Sequence, residues 1–322
     1  MSGDDSPVWS PLVGSAFAEA CSYVSDEGAL ELARQSDLLI AVKPFPETLG
    51  RAARMQAVTS TPVLADVDDP DIEVRFPFHD PRKLVFRAVT RPRELITGFQ
   101  MKRLVKKFPV TVSNPVLQRR FGGDIVGHVR TDTGPGATHT ARGGKVVFVG
   151  TNRKHKGVDV LREAVARLAS EGFTLTVTDD EPEDAKAWEQ WTGRTTLEEG
   201  LRLVRTGDIV VVPSLRGHTT SGAQLPAKLM DAMIAGRAIV VSDFAPLRWA
   251  VGSGGLVVAP GSVEALASAL RQCADPALRA TLGAAARERG IDEFSVDAVA
   301  DRFAAICRRA IAGAPVRSRD GQ

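Results

Sequence analysis

Between Asp208 and Asp243 the chain reads DIVVVPSLRGHTTSGAQLPAKLMDAMIAGRAIVVSD. This order of an apolar run, a small-residue loop, a periodic helix and a second apolar run admits few folds. Ile209 to Val212 reads as a buried strand that ends at Pro213-Ser214 and opens into a loop rich in Gly, Ser and Thr. Pro226 starts a helix, with Leu225, Leu229, Met233 and Ile234 at roughly helical spacing. Gly236 stops it, and Ala238 to Val241 form the next buried strand. A strand, a small-residue loop and a helix N-terminus together make an anion site, because unpaired backbone N–H groups point at whatever lies in front of them. Asp231 lies five residues into that helix, where a carboxylate can reach a hydroxyl near the anion.

The rest of the chain repeats this alternation. In the first half, Asp37 to Val42 and Pro62 to Val67 read as strands flanking a helix over Thr48 to Val58, a βαβ unit. Pro109 to Ser113 is a further strand, and Asn114-Pro115 caps a helix over Val116 to Phe121. Gly134 to Gly144 is the best linker candidate, being rich in Gly, Thr and Ala and without periodicity. Beyond it, strands are expected at Lys145–Gly150, Thr174–Thr178 and Gly255–Val258. Helices are expected at Val158–Glu171, Leu197–Arg205, Val263–Cys273, Pro276–Arg289 and about Val296–Ile311. Such βα alternation predicts α/β architecture with doubly wound parallel sheets. The domains divide as 1–138, 139–293 and a final helix with a polar tail, 294–322.

With 322 residues the chain is long enough for two domains. A net charge of +2 gives no ground for a nucleic-acid partner. Cys21, Cys273 and Cys307 form neither a disulfide framework nor a metal set, and no apolar run approaches the roughly 20 residues that cross a bilayer. The polar N-terminus is not a secretory signal, so a cytoplasmic setting is expected.

The segment Pro226-Ala227-Lys228-Leu229-Met230-Asp231-Ala232-Met233-Ile234-Ala235-Gly236-Arg237-Ala238-Ile239-Val240-Val241-Ser242 resembles the donor-site signature of the nucleotide-sugar-dependent, retaining GT-B glycosyltransferases (group 1, family 4-like). The resemblance implies two Rossmann-like domains and a C-terminal helix that crosses back onto the first. Relatives begin with a strand and a Gly-rich turn, whereas this chain starts at something like their third strand, so a shortened N-terminal domain is expected.

The resemblance also implies roles. Relatives carry a Gly-Arg-x-x-x-x-Lys-Gly pattern whose cations neutralise the donor diphosphate. Gly150, Lys156 and Gly157 match it; Thr151 stands in place of the Arg, with Arg153 and Lys154 nearby. Ser214, Ser221, Gly222, Ala223, Pro226 and Lys228 fall on the donor loop and helix start, and Asp231 aligns with the acid that holds the donor ribose. The first acid of that motif is replaced by Ala223. Trp188, Trp191 and Arg194 occupy the stretch where relatives hold the base, although a structural tryptophan pair fits equally well. His218 reads as a surface loop residue. No metal site or cofactor is implied, the nucleoside-diphosphate sugar being a substrate.

On the acceptor side, Lys43 stands near the place where relatives often carry a His, and Asp66, Asp68 and Asp69 end the next strand. Carboxylates at strand C-terminal ends face the crevice of an open α/β sheet. Between residues 82 and 107, Arg82, Lys83, Arg87, Arg91, Arg93, Lys102, Arg103, Lys106 and Lys107 interleave with Leu84, Val85, Phe86, Phe99, Leu104 and Val105. Either a solvated helix face or a peripheral contact with an anionic membrane fits that pattern. The expected activity is transfer of a hexosyl group to a glycan or lipid-linked acceptor with retention, in cell-envelope polysaccharide or glycolipid synthesis. The departures from the motif support an alternative, a catalytically degenerate GT-B protein that binds nucleotide or glycan as a scaffold.

Overall fold

A computed structural model describes residues 12–13, 15–22, 24–76, 81–217 and 220–313. The first half holds α1 (Ala16–Ala20), α2 (Asp26–Arg34), β1 (Leu39–Val42), α3 (Leu49–Thr59), β2 (Val63–Val67), α4 (Asp71–Arg75), α5 (Pro81–Thr90), α6 (Pro92–Val105), β3 (Val110–Val112), α7 (Pro115–Phe121) and β4 (Asp124–Ile125). Its strands pair in parallel in the order β1-β2-β3-β4. The second half holds β5 (Gly144–Phe148), α8 (Val158–Ala166), β6 (Phe173–Val177), β7 (Glu189–Trp191), α9 (Leu197–Thr206), β8 (Ile209–Val212), α10 (Ala227–Ile234), β9 (Ala238–Ser242), α11 (Ala245–Val251), β10 (Gly255–Val258), α12 (Val263–Gln272) and α13 (Pro276–Phe294). Its parallel sheet runs β10-β9-β8-β5-β6-β7. The chain closes with α14 (Val296–Ile311).

The apolar runs of the sequence are the central strands. All four residues of β8 and all five of β9 are buried, because helices cover both faces of the sheet. Phe148, Phe173, Leu175 and Leu161 are fully buried on one face, and Leu229, Met230 and Met233 of α10 on the other. Each such side chain contributes roughly 1.5–3 kcal/mol by leaving water. Several helix starts are chemically specified. Asn114 caps α7 through its side-chain oxygen, which accepts from the Val116 and Leu117 amides. Thr196 and Glu199 form a reciprocal capping box on α9.

Several features lie outside the sequence-based expectation, among them α1, α2, α4, β4 and β7. The basic stretch folds as the hairpin α5–α6; α11 follows β9; and α13 runs on to Phe294. The Gly-rich segment has no regular element up to Gly143, where β5 follows, but it is pinned to the second half. Buried Asp208 accepts from the amide and hydroxyl of Thr140, and Arg205 donates to the Gly134 and Pro135 carbonyls. Arg279, fully buried, donates to the carbonyls of Thr140, Gly143 and Cys273. Backbone groups with no ladder partner are thereby satisfied by side chains.

The last helix crosses back. Ile306 and Ala310 of α14 pack on Leu64 of β2, with Phe303 and Cys307 beside them. Arg309 closes the contact by donating to Asp124 at 2.6 Å. Among the described residues, no helix is long and apolar enough to cross a membrane.

Candidate functional site

In the second sheet the strand order reverses between β5 and β8: β5 leads to β6 on one side and borders β8 on the other. Loops diverge at such a point and leave a crevice at the strand C-terminal ends. Two loops meet there, Val149–Gly157 after β5 and the segment from Pro213 to Pro226 after β8. They are locked together by the Leu215 amide, which donates to the His155 carbonyl at 2.9 Å. Gly157 makes this approach possible. Its φ is +69°, and a Cβ there would lie 1.9 Å from the Pro213 carbonyl oxygen.

Gly150, with φ +128°, opens the floor of the crevice. A Cβ at this position would sit 3.4 Å from Lys156 Nζ and 3.6 Å from Lys228 Nζ, so the two ammonium groups flank one point. Lys156 Nζ donates to Thr151 Oγ1 at 3.2 Å. Lys228 Nζ stands 3.5 Å from the Phe148 ring centroid. Neither lysine has a carboxylate within salt-bridge distance among the described residues. Burial pushes Lys228 well below the usual lysine range, and the Lys156 charge adds to it. Burial likewise lowers Lys156, followed by repulsion from Arg153 and opposed by Asp179. Two like charges held together in a half-dry crevice form a site that an anion would relieve.

The loop beside them presents Ser221, which is buried and whose hydroxyl has no hydrogen-bond partner among the described residues. Gly222 is exposed and Ser214 half-buried. Ala223 is fully buried and packs with the core of the first half, and its carbonyl accepts from Asn114 Nδ2 at 2.9 Å. This loop is therefore docked across the junction of the two halves.

Asp231 projects from α10 with its carboxylate on the Arg130 guanidinium. Burial raises the Asp231 pKa, against the pull of that arginine. Beside them lies His128, held below the ordinary imidazole range by burial, with the Asp68 charge opposing and the Leu225 carbonyl against its ring. His128 and Arg130 were not anticipated from sequence. Their partners are distant in the chain, and the only local signal is a His and an Arg in an irregular segment that follows the last strand of the first half.

Across the crevice, at the C-terminal edge of the first sheet, Lys43 adopts φ +66°, a strained conformation for a residue with a side chain. Its ammonium lies 2.9 Å from Asp71 and 3.5 Å from Asp68. Burial works against the Lys43 charge, but Asp68, Asp71 and Asp69 together hold its pKa above the usual value. Asp69 accepts from Gln224 Nε2 at 3.2 Å through one oxygen; the other is buried without a partner. Burial, with repulsion from Asp68, pushes the Asp69 pKa up to about 6. Asp66 accepts from Thr111 Oγ1 at 2.6 Å within the sheet.

The structure thus brings Gly150, Lys156 and Lys228 together in the second half, and Lys43, Asp68 and Asp69 together in the first. It leaves Arg153 and Arg194 exposed, with no ion pair among the described residues. Trp188 and Trp191 pack against the core, and Trp191 Nε1 donates to Glu189 at 3.0 Å. That contact is structural. His218 lies outside the described residues. Among them, no group of three or more His, Cys, Asp and Glu residues is arranged to hold a metal ion.

Residues 143–275 match the family model described as glycosyl transferases group 1. A search of curated proteins finds no match. Similar solved structures include HepE of Anabaena in complex with UDP and glucose (TM-score 0.66, 16% identity, covering 87% of this chain and 80% of that one). Sucrose-phosphate synthase of Thermosynechococcus elongatus gives TM-score 0.67 at 18% identity, over 91% of this chain and 82% of that one. α,α-Trehalose 6-phosphate synthase of Burkholderia multivorans gives 0.64 at 15%, over 92% and 75%. At these identities the likeness speaks for the fold, and the family model speaks for the second half. Residues 143–275 are thus similar to the glycosyl transferases group 1 family, and the chain as a whole has a GT-B fold.

Proposed function

We propose that this protein is a retaining glycosyltransferase that moves a hexosyl group from a nucleoside-diphosphate sugar to a hydroxyl of a glycan or lipid-linked acceptor. The observation that carries this reading is the pair Lys156 and Lys228, two ammonium groups without a carboxylate partner flanking the open face of Gly150. The donor diphosphate would sit between them, and the backbone N–H groups around Ser221 and Gly222 would cradle its far side. Asp231, steadied by Arg130, would face the ribose. UDP and UDP-glucose occupy structures of the similar HepE, which supports a nucleotide-sugar donor.

In the transfer step the bond from the sugar's anomeric carbon to the diphosphate oxygen breaks, and a bond from that carbon to the acceptor oxygen forms on the same face. The acceptor's proton passes to the leaving diphosphate. Negative charge grows on the diphosphate as its bond breaks, so cations fixed beside it stabilise the transition state more than the ground state. The lysines supply this charge from the chain itself, and the reaction needs no bound metal. Lys43, Asp68 and Asp69 would orient the acceptor. A cytoplasmic enzyme in peripheral contact with the membrane, serving cell-envelope polysaccharide or glycolipid synthesis, fits this arrangement.

The test is release of nucleoside diphosphate from UDP-, GDP- and ADP-hexoses, with and without chelator. One donor should be turned over, Lys156→Ala should reduce the rate at least about tenfold, and the chelator should leave the rate unchanged. The position of Ala223, where the family's first acid is replaced and the side chain is buried in the other domain, favours a second reading as a binding protein without turnover. Nucleotide binding with no donor cleavage would select it.

A further inference from the structure

On the C-terminal edge of the first sheet, beyond the Lys43 cluster, lies a cavity of about 530 Å³ whose walls include Arg75, Arg87, Arg91, Arg93, Glu47 and Glu94. Glu47 is consumed by a two-pronged contact with Arg75 at 2.9 and 3.0 Å. Glu94 is shared between Arg87 at 3.5 Å and Arg91 at 3.3 Å. Arg93 has no carboxylate partner among the described residues. Four guanidinium groups against two carboxylates leave the corner positive, and no side chain caps the first turn of α6, which forms part of its wall. Planar guanidinium donors in this density match phosphate oxygens.

The helix that carries Arg87 also exposes apolar surface. Phe86 is 67% and Val89 79% exposed, and Val85 completes the stripe at helical spacing. On α6, Ile96 lies one turn beyond Arg93 and is exposed too. Exposed apolar side chains interleaved with arginines fit the boundary of an anionic bilayer, where phosphates meet hydrocarbon.

We propose that the α5–α6 hairpin docks on a lipid surface and that the arginine-walled cavity takes a lipid-borne phosphate. The inference rests on the transferase reading only for its use: the phosphate would belong to the lipid face that presents the acceptor to the crevice. Its test does not depend on turnover. Partition of the full chain onto phosphatidylcholine vesicles is measured with and without phosphatidylglycerol, for the wild type, Arg91→Glu/Arg93→Glu and Phe86→Ser/Val89→Ser. Calorimetry with inorganic pyrophosphate and with UDP, GDP and ADP runs beside it.

The wild type should prefer the anionic vesicles by at least about tenfold. Both double variants should lose the preference while binding of whichever nucleotide the wild type takes is unchanged, which shows that they are folded. Equal partition of the wild type onto both vesicles would overturn the proposal. Pyrophosphate binding in that case, if lost in Arg91→Glu/Arg93→Glu, would identify a soluble phosphate as the ligand of the cavity. Retained preference in Arg91→Glu/Arg93→Glu would also overturn it. Absence of UDP, GDP and ADP binding in the wild type with vesicle preference intact would sink the transferase reading and leave this one standing.

Discussion

Asp69 should make the stability of the protein depend on pH. The carboxyl is buried beside Asp68, and its pKa rises from 3.8 to about 6 on folding. The folded chain therefore holds this proton over a pH range in which the unfolded chain has released it. Stability contributed by the protonated form is present below about pH 4 and lost as the pH climbs through 6. Above that, the ionised Asp69 costs on the order of 3 kcal/mol. Asp69→Asn removes this cost and keeps a polar group for Gln224. The variant should melt several degrees above wild type at pH 8 and show a smaller gain at pH 5. A gain of equal size at both pH values would mean that Asp69 is solvated. The strained Lys43 belongs to the same cluster, and strain of this kind persists where surrounding contacts over-determine it.

The elements that build the crevice show which parts of the site are legible in the sequence. The run from Ile209 to Ser242 is legible because strand, loop, Pro-started helix and Gly stop each leave a local mark, and all of them fall within 34 residues in the structure. Gly157 is legible through its place beside Lys156 in the family motif. Its physical reason, a close approach to the Pro213 carbonyl, requires the fold. Gly157→Ala forces a side chain into a left-handed backbone and against that carbonyl. It should destabilise the protein by roughly 1–3 kcal/mol, read as a lower melting temperature. An unchanged melting temperature would show that the two loops do not meet. By contrast, His128 and Arg130 carry no local pattern, because the charges that give them meaning lie on β2's following turn and on α10. The pinning of segment 134–144 is hidden for the same reason: a Gly-rich sequence marks irregular backbone but cannot name the Asp208 and Arg279 side chains that satisfy it.

Over the whole molecule, α14 is the tie between the halves. It leaves the second half at Ser295 and buries Ile306 against Leu64 in the first. Its apolar spacing is readable in sequence; its partner is assigned by the family resemblance and found in the structure. Ile306→Ala should cost about 2–5 kcal/mol and speed amide hydrogen exchange in β2, although the substitution lies at the other end of the chain. Unaltered exchange in β2 would mean that α14 belongs to the second half alone. The docking of Ala223 into the first half's core gives the crevice two walls that are already in contact. A donor bound between Lys156 and Lys228 would therefore lie near the seam where Asp69 accepts from Gln224.

A nucleoside diphosphate is expected to bind over Gly150 between those two lysines. Calorimetry of UDP, GDP and ADP with the wild type, Lys156→Ala and Lys228→Met tests it directly. One nucleotide should bind with micromolar affinity, and each variant should weaken it at least about tenfold, or 1.4 kcal/mol, while melting as a folded protein. Failure of all three nucleotides to bind the wild type, or full affinity in both lysine variants, would contradict the account.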